Sequence, residues 1–179
     1  MYTNFIQSLL MILKKAYLPI GLILILALAR LIPHPYNFSP MLAVGVFSGF
    51  YFRQFYVSAF IVIFSMFVGD LFLGFHSTMF FTYIALAIAV LIGIYVKHFK
   101  FKEILYSGLA SSICFFVITN FGAWLTLEMY AKNFSGLIQS YLMAIPFFQN
   151  TLISTFLYLF LLKLVFDLAV KKKIFKNSF

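Results

Sequence analysis

The run FYVSAFIVIFSMFVGDLFL, from Phe55 to Leu73, carries a single charge, Asp70, near its end. Crossing the hydrocarbon core of a bilayer takes about 20 predominantly apolar residues in a helix, so this run reads as a transmembrane span. The chain around it has the same character. Of its 179 residues, 64% are hydrophobic and 9% charged, and the mean hydropathy is +1.06. A soluble domain carries roughly a quarter of its residues as Asp, Glu, Lys and Arg. Too little polar side chain is present to cover a water-soluble globule, and lipid must be the solvent for most of the surface.

Outward from Phe55–Leu73, apolar runs predict further spans at about Ala16–Ile32, Pro40–Phe52, Met79–Val96, Ile104–Leu127 and Phe148–Val170. The expected fold is all-α: a single-domain polytopic membrane bundle of about six transmembrane helices. The run from Pro40 is short, and a re-entrant segment is the alternative there; Ser48, Gly49, Arg53 and Gln54 mark its end. Charge supports the crossing. With six spans, Lys14, Lys15, Arg53, Lys97, Lys100, Lys102, Lys171, Lys172, Lys173 and Lys176 fall on one side, and only Arg30 and Lys132 on the other. Positive charge collects on the cytoplasmic side, which predicts both termini inside. Lys163 lies within the last span near its inner end, where a long side chain can snorkel. No cleavable signal peptide is evident, and the first run reads as a retained helix. Small residues spaced by four (Gly45 and Gly49; Ala85, Ala89 and Gly93; Ser107 and Ser111; Gly108 and Ser112) predict close helix packing.

The polar residues sort by side. His34, Asn37, Asp70, His76, Asn120, Trp124, Glu128, Gln149 and Asn150 all fall toward the outer face, whereas the inner half holds little beyond lysines and Asp167. Polar groups at membrane depth are costly unless paired or wet. A set drawn from four sequence-distant segments, at one depth and one face, suggests a shared pocket open to the outside, with aromatic walls supplied by the 26 Phe and 11 Tyr. Each residue also has a plainer reading. His34 sits in a rigid Pro33-His34-Pro35 loop. Asp70, after Gly69, is suited to a turn or a cap. Asn120 could bridge two helices, and Trp124 could anchor the interface. The candidate binding set is His34, Asn37, Asp70, His76, Asn120, Trp124 and Asn150. The longer segment Glu128–Gln149 is expected to form a short helix over the outer face, a possible lid.

Other chemistries lack support. No phosphate-binding glycine loop, HExxH helix, cysteine cluster or Ser/His/Asp set is present. No cofactor, enzymatic activity or nucleic-acid partner is expected. Cys114 stands alone within an apolar run. The lysines at 171–173 suit an anionic inner leaflet.

Four stretches carry a resemblance: Arg30-Leu-Ile-Pro-His-Pro-Tyr-Asn-Phe-Ser-Pro40; Gly69-Asp-Leu-Phe-Leu-Gly-Phe-His76 with Met79 and Tyr83; Ile118-Thr-Asn-Phe-Gly-Ala-Trp-Leu125; and Ala144-Ile-Pro-Phe-Phe-Gln-Asn-Thr151. In this order they resemble an uncharacterised bacterial family of transport-type membrane proteins, over about Leu26 to Phe160. That family distantly resembles the S components of energy-coupling-factor transporters. The resemblance implies a six-helix protein of the bacterial inner membrane with both ends inside. It also implies an outer-face pocket for a vitamin-like micronutrient, and either a transmembrane coupling subunit with ATPases or solitary action. S components often carry an alanine pair four residues apart on the first helix. Here Ala27 and Ala29 are two apart. The expected function is uptake of a small micronutrient. The alternative is a non-transporting membrane scaffold or assembly factor.

Overall fold

The computed structural model describes residues 17, 20, 21, 24 and 25 and the continuous stretch 28–171. Ala27 and the lysines at 14, 15, 172, 173 and 176 lie outside the described residues, as do residues 16, 18, 19, 22, 23 and 26 of the expected first span. Among the described residues all regular structure is helical, with no strand. Tyr17, Ile20, Gly21, Leu24, Ile25 and Leu28 are helical, and a 3-10 turn follows at Ala29–Leu31. Five longer helices come next: α1 (Met41–Phe52), α2 (Phe55–Leu73), α3 (Met79–Tyr95), α4 (Phe101–Thr126) and α5 (Phe134–Lys171). By length and composition α2, α4 and α5 are long and apolar enough to cross a membrane, whereas α1 and α3 are shorter apolar helices.

Every residue of α1 from Met41 to Phe50 is buried. A helix apolar on all sides belongs in the middle of a bundle, and α1 touches α2, α3, α4 and α5. Its closest partner is α3. A Cβ built on Gly49 would overlap the carbonyl oxygen of Val90, and one on Gly93 would overlap that of Val46. At Gly45 the neighbour is the Ala89 side chain, at 3.1 Å. The spacing of four seen in the sequence therefore brings the two backbones into contact, as small residues do where no water drives helices together. Gly108 of α4 plays a similar part against Phe156 and Leu159 of α5. The outer surface is strongly apolar, with Phe60, Phe64, Phe80 and Leu164 exposed.

Arg53 closes α1. Its backbone is left-handed (φ 56°) and its N–H donates to the Gly49 carbonyl at 3.1 Å. That conformation is uncommon for a residue with a Cβ, and side-chain bonds hold it. Nη1 donates to Ile94 O at 2.6 Å and Nη2 to Lys97 O at 3.1 Å, while the guanidinium lies 5.2 Å from the Phe50 ring centre. Arg53 thus serves the orphan carbonyls at the end of α3, where positive charge is favoured. It also gathers itself, Lys97, Lys100 and Lys102 at one end of the bundle. Phe47, Phe50, Phe99 and Phe166 form a ring cluster at this end, with Phe50 and Phe99 stacked at 4.8 Å.

Helix α5 departs from expectation. The segment after Glu128 forms no separate helix over the bundle. After a short connection one helix of 38 residues runs from Phe134 to Lys171, with Pro146 inside it. At 1.5 Å per residue its length is about 57 Å. Proline inside an apolar helix is tolerated where neighbours re-satisfy the backbone. Gly136, Ser140 and Ala144, all buried, line one face of the added turns. Ser140 Oγ donates to Asn120 O at 3.3 Å and Tyr141 Oη to Val117 O at 2.9 Å, fixing those turns to α4.

The glycine contact sets a graded expectation. Gly49→Ala and Gly93→Ala must push two backbones apart, and each should cost about 3 kcal/mol, the upper part of the usual overpacking range. Gly45→Ala meets only a methyl group and should cost about 1 kcal/mol. Denaturant titration of the purified protein in mild detergent measures the order; equal losses at all three positions would refute the backbone contact.

Candidate functional site

The bundle has one short column. With 12 residues α1 is about 18 Å long, whereas the 19 residues of its neighbour α2 reach about 28 Å. The two are joined by only Arg53 and Gln54, so they start level at the lysine-bearing end. The difference appears at the other end as a cavity of about 660 Å³ over Met41 and Leu42, the first residues of α1. That volume lies within the usual range for small-molecule sites, roughly 300–1,000 Å³. Its walls are the C-terminal part of α2, the N-terminal part of α3, the C-terminal half of α4 and Thr151 of α5. The segment 30–39 also lines it.

The proline-rich segment is held in place by its own turns and by α5. His34 Nδ1 is 2.9 Å from Pro35 O, and Nε2 is 3.2 Å from Arg30 O. Asn37 is left-handed (φ 61°), a conformation asparagine tolerates in turns. Phe38 N donates to Pro35 O at 3.0 Å. Asn150 Nδ2 donates to Tyr36 O at 3.0 Å, and the Tyr36 ring meets Phe147 edge-on at 6.1 Å. The element positioned as a cover is therefore this first loop.

The centre of the arrangement is an ion pair between segments far apart in sequence. Arg30 Nη1 donates to Asp70 Oδ1 at 2.7 Å, and Tyr83 Oη donates to Asp70 Oδ2 at 2.8 Å. Asp70 is fully buried, and the Arg30 side chain is 15% exposed. Gly69 leaves room for the guanidinium, since a Cβ there would sit 2.9 Å from Arg30 Nη1. A buried carboxylate is strongly unfavourable alone and tolerable when paired and hydrogen-bonded; Asp70 has a partner on each oxygen.

The expected site residues divide into two groups. His34, Asn37, His76 and Asn120 line the cavity. Asp70, Trp124 and Asn150 do not line it. Asp70 stands behind Arg30. Trp124 Nε1 donates to Ala131 O at 2.9 Å, beside Lys132, whose Nζ donates to the carbonyls of Trp124 and Leu127 at the end of α4. Asn150 holds the first loop. Within the lining, His76 Nδ1 lies 2.9 Å from Thr78 Oγ1. Asn120 Nδ2 donates to Phe116 O one turn back at 2.7 Å, which leaves its Oδ1 without a partner among the described residues.

Sequence reasoning missed Arg30, Tyr83 and a set of hydroxyls. Ser39, Thr78, Thr82, Thr119 and Thr151 all line the cavity. Threonine is common on apolar helices, and nothing local marks these. Arg30 did carry a signal, as a lone cation against the charge bias, at the expected depth of the lone carboxylate Asp70. The aromatic walls are a second correction. Among the described Phe, Tyr and Trp residues, only Tyr36 and Phe115 line the cavity. Other rings pack at the lysine-bearing end, as Phe50 and Phe99 do, pair between helices, as Phe116 and Phe148 do, or face outward, as Phe60 and Phe80 do.

The ion pair gives a stability test. Asp70→Asn leaves a largely buried guanidinium uncompensated, and should cost about 3 kcal/mol, the low end for a broken buried pair because Arg30 borders the cavity. Tyr83→Phe removes one bond to a charged acceptor and should cost about 1.5 kcal/mol. Unfolding in mixed micelles measures both. An Asp70→Asn protein as stable as the parent would show that the pair does not tie the bundle.

Neither a curated protein nor a solved structure matches the chain. A family profile does, over residues 11–177, which is nearly the whole length. The chain belongs to that family, a family of unknown function (DUF6580).

Proposed function

We propose that this protein is a multi-pass transport protein of the bacterial inner membrane that binds a small micronutrient in the cavity above α1. The observation that carries the reading is the position of the cavity. It opens at the end of the bundle opposite Arg53, Lys97, Lys100 and Lys102. If those cations face the cytoplasm, as positive charge usually does, the cavity faces outward. On this reading the first helix and the five described ones make six crossings, with both termini inside. The mixture of apolar wall and a few placed polar groups suits a small organic solute. On this reading the protein works in the manner of an S component, either with a coupling subunit and its ATPases or alone.

A second reading, a membrane scaffold or assembly factor, is favoured by how many polar groups are committed to the protein itself. Asp70, Trp124 and Asn150 each make bonds that hold elements together.

Mass spectrometry of small molecules co-purifying with gently solubilised protein separates the two. Transport predicts a near-stoichiometric solute in the parent protein. Ala123→Phe, which fills the cavity from α4, should reduce that solute by about tenfold or more while the fold survives. A well-folded protein that retains nothing, and whose deletion alters uptake of no vitamin-like solute, would favour the scaffold.

A further inference from the structure

We infer that the cavity takes a solute with an oxyanion group, a carboxylate or phosphate, anchored on the guanidinium of Arg30; this rests on the binding role proposed above. Arginine has five N–H donors. The Nη1 group meets Asp70 Oδ1 and, at 3.5 Å, Met66 O. Among the described residues, Nε and Nη2 donate to nothing, although the side chain is only 15% exposed and borders the cavity. A guanidinium held in this way presents its remaining donors in a fixed fork, the geometry that binds carboxylate and phosphate in bidentate fashion.

The surroundings favour the same sign. Among the described residues no aspartate or glutamate lines the cavity, and Asp70 lies behind Arg30, wholly buried, so a solute meets the cation first. Two helices, α1 and α3, also begin at the cavity, with Met41 and Thr78 in its wall. Their N-terminal ends carry partial positive charge. Asp70 therefore acts as a positioning residue. It fixes one edge of the guanidinium and balances its charge when the cavity is empty, and Tyr83 fixes Asp70 in turn.

The chain has two arginines, Arg30 and Arg53, which allows a direct test on the folded protein. The full chain is labelled with 15N-arginine in lipid-free maltoside micelles, and the guanidinium resonances are followed by NMR. Arg53→Lys identifies the Arg30 signal. The probes are sodium acetate and inorganic phosphate, with acetamide and matched sodium chloride as controls. The expected result is a saturable shift of the Arg30 resonances with at least one oxyanion, half-complete in the millimolar range as suits so small a fragment, with Arg53 unmoved. Arg30 and Arg53 drifting together without saturation would overturn the inference. So would an equal response to acetamide, or a response only when phosphatidylglycerol is added, which would make the ligand a lipid headgroup. The two readings fail separately. A neutral solute co-purifying with the protein would leave uptake standing and remove the anion anchor. A saturable Arg30 response in a protein that transports nothing would do the reverse.

Discussion

The backbone contact between α1 and α3 is the constraint on which the rest of the bundle depends. In lipid there is no hydrophobic force to drive apolar helices together, and dispersion contacts at short range must do more of the work. Gly49 and Gly93 let each helix press against the other's carbonyls, Val90 and Val46 respectively. This places α1, a helix too short to cross alone, in the middle of longer helices. Arg53 then fixes its height by binding the Ile94 carbonyl in the last turn of α3 and the Lys97 carbonyl just beyond it. Once α1 is anchored at that end, its shortness appears entirely at the other, and the cavity is the result.

The cavity therefore lies in a rigid surround. Its floor is the start of α1, and its walls are helices packed through small residues. The Arg30–Asp70–Tyr83 cluster links three separate segments within one hydrogen-bonded group. The least regular part is the loop over the top, which α5 holds through Asn150 and Phe147. If one element yields to admit a solute, the loop has the fewest backbone bonds to lose. The polar groups on its inner side, His34 and Asn37, would move with it.

Much of this was legible in the sequence, and what was missed has physical causes. Apolar run length located α1 to α4 closely, because length and composition are what the bilayer constrains. The spacing of Gly45, Gly49 and Gly93 pointed to the right helices. Helix α5 was cut short because Asn133, Ser135, Gly136 and Pro146 look like punctuation in isolation; in the bundle Gly136 belongs to a packing face and Pro146 is a tolerated proline. For the site, sidedness brought His34, Asn37, His76 and Asn120 to the same end correctly. It could not separate lining residues from those that tie the structure together, since depth alone does not say which way a side chain points. Asp70 illustrates the limit. Its cost at depth marked it as unusual, but the bond that offsets the cost lies 40 residues away in Arg30.

That separation has a consequence for how the protein is made. Synthesis delivers Arg30 well before Asp70 exists, and at 5–20 residues per second the interval is roughly two to eight seconds. During that time the first helix ends in a cation whose partner is missing. Such a charge costs about 3 kcal/mol at the bilayer centre and less at a helix end, where a long side chain can snorkel, so the unpaired cation favours keeping this end of the first helix at the interface. Arrival of α2, and then of Tyr83 on α3, removes that cost. The ion pair therefore forms late relative to its first member: the cavity end of the bundle can close only once nearly half of the chain has been made.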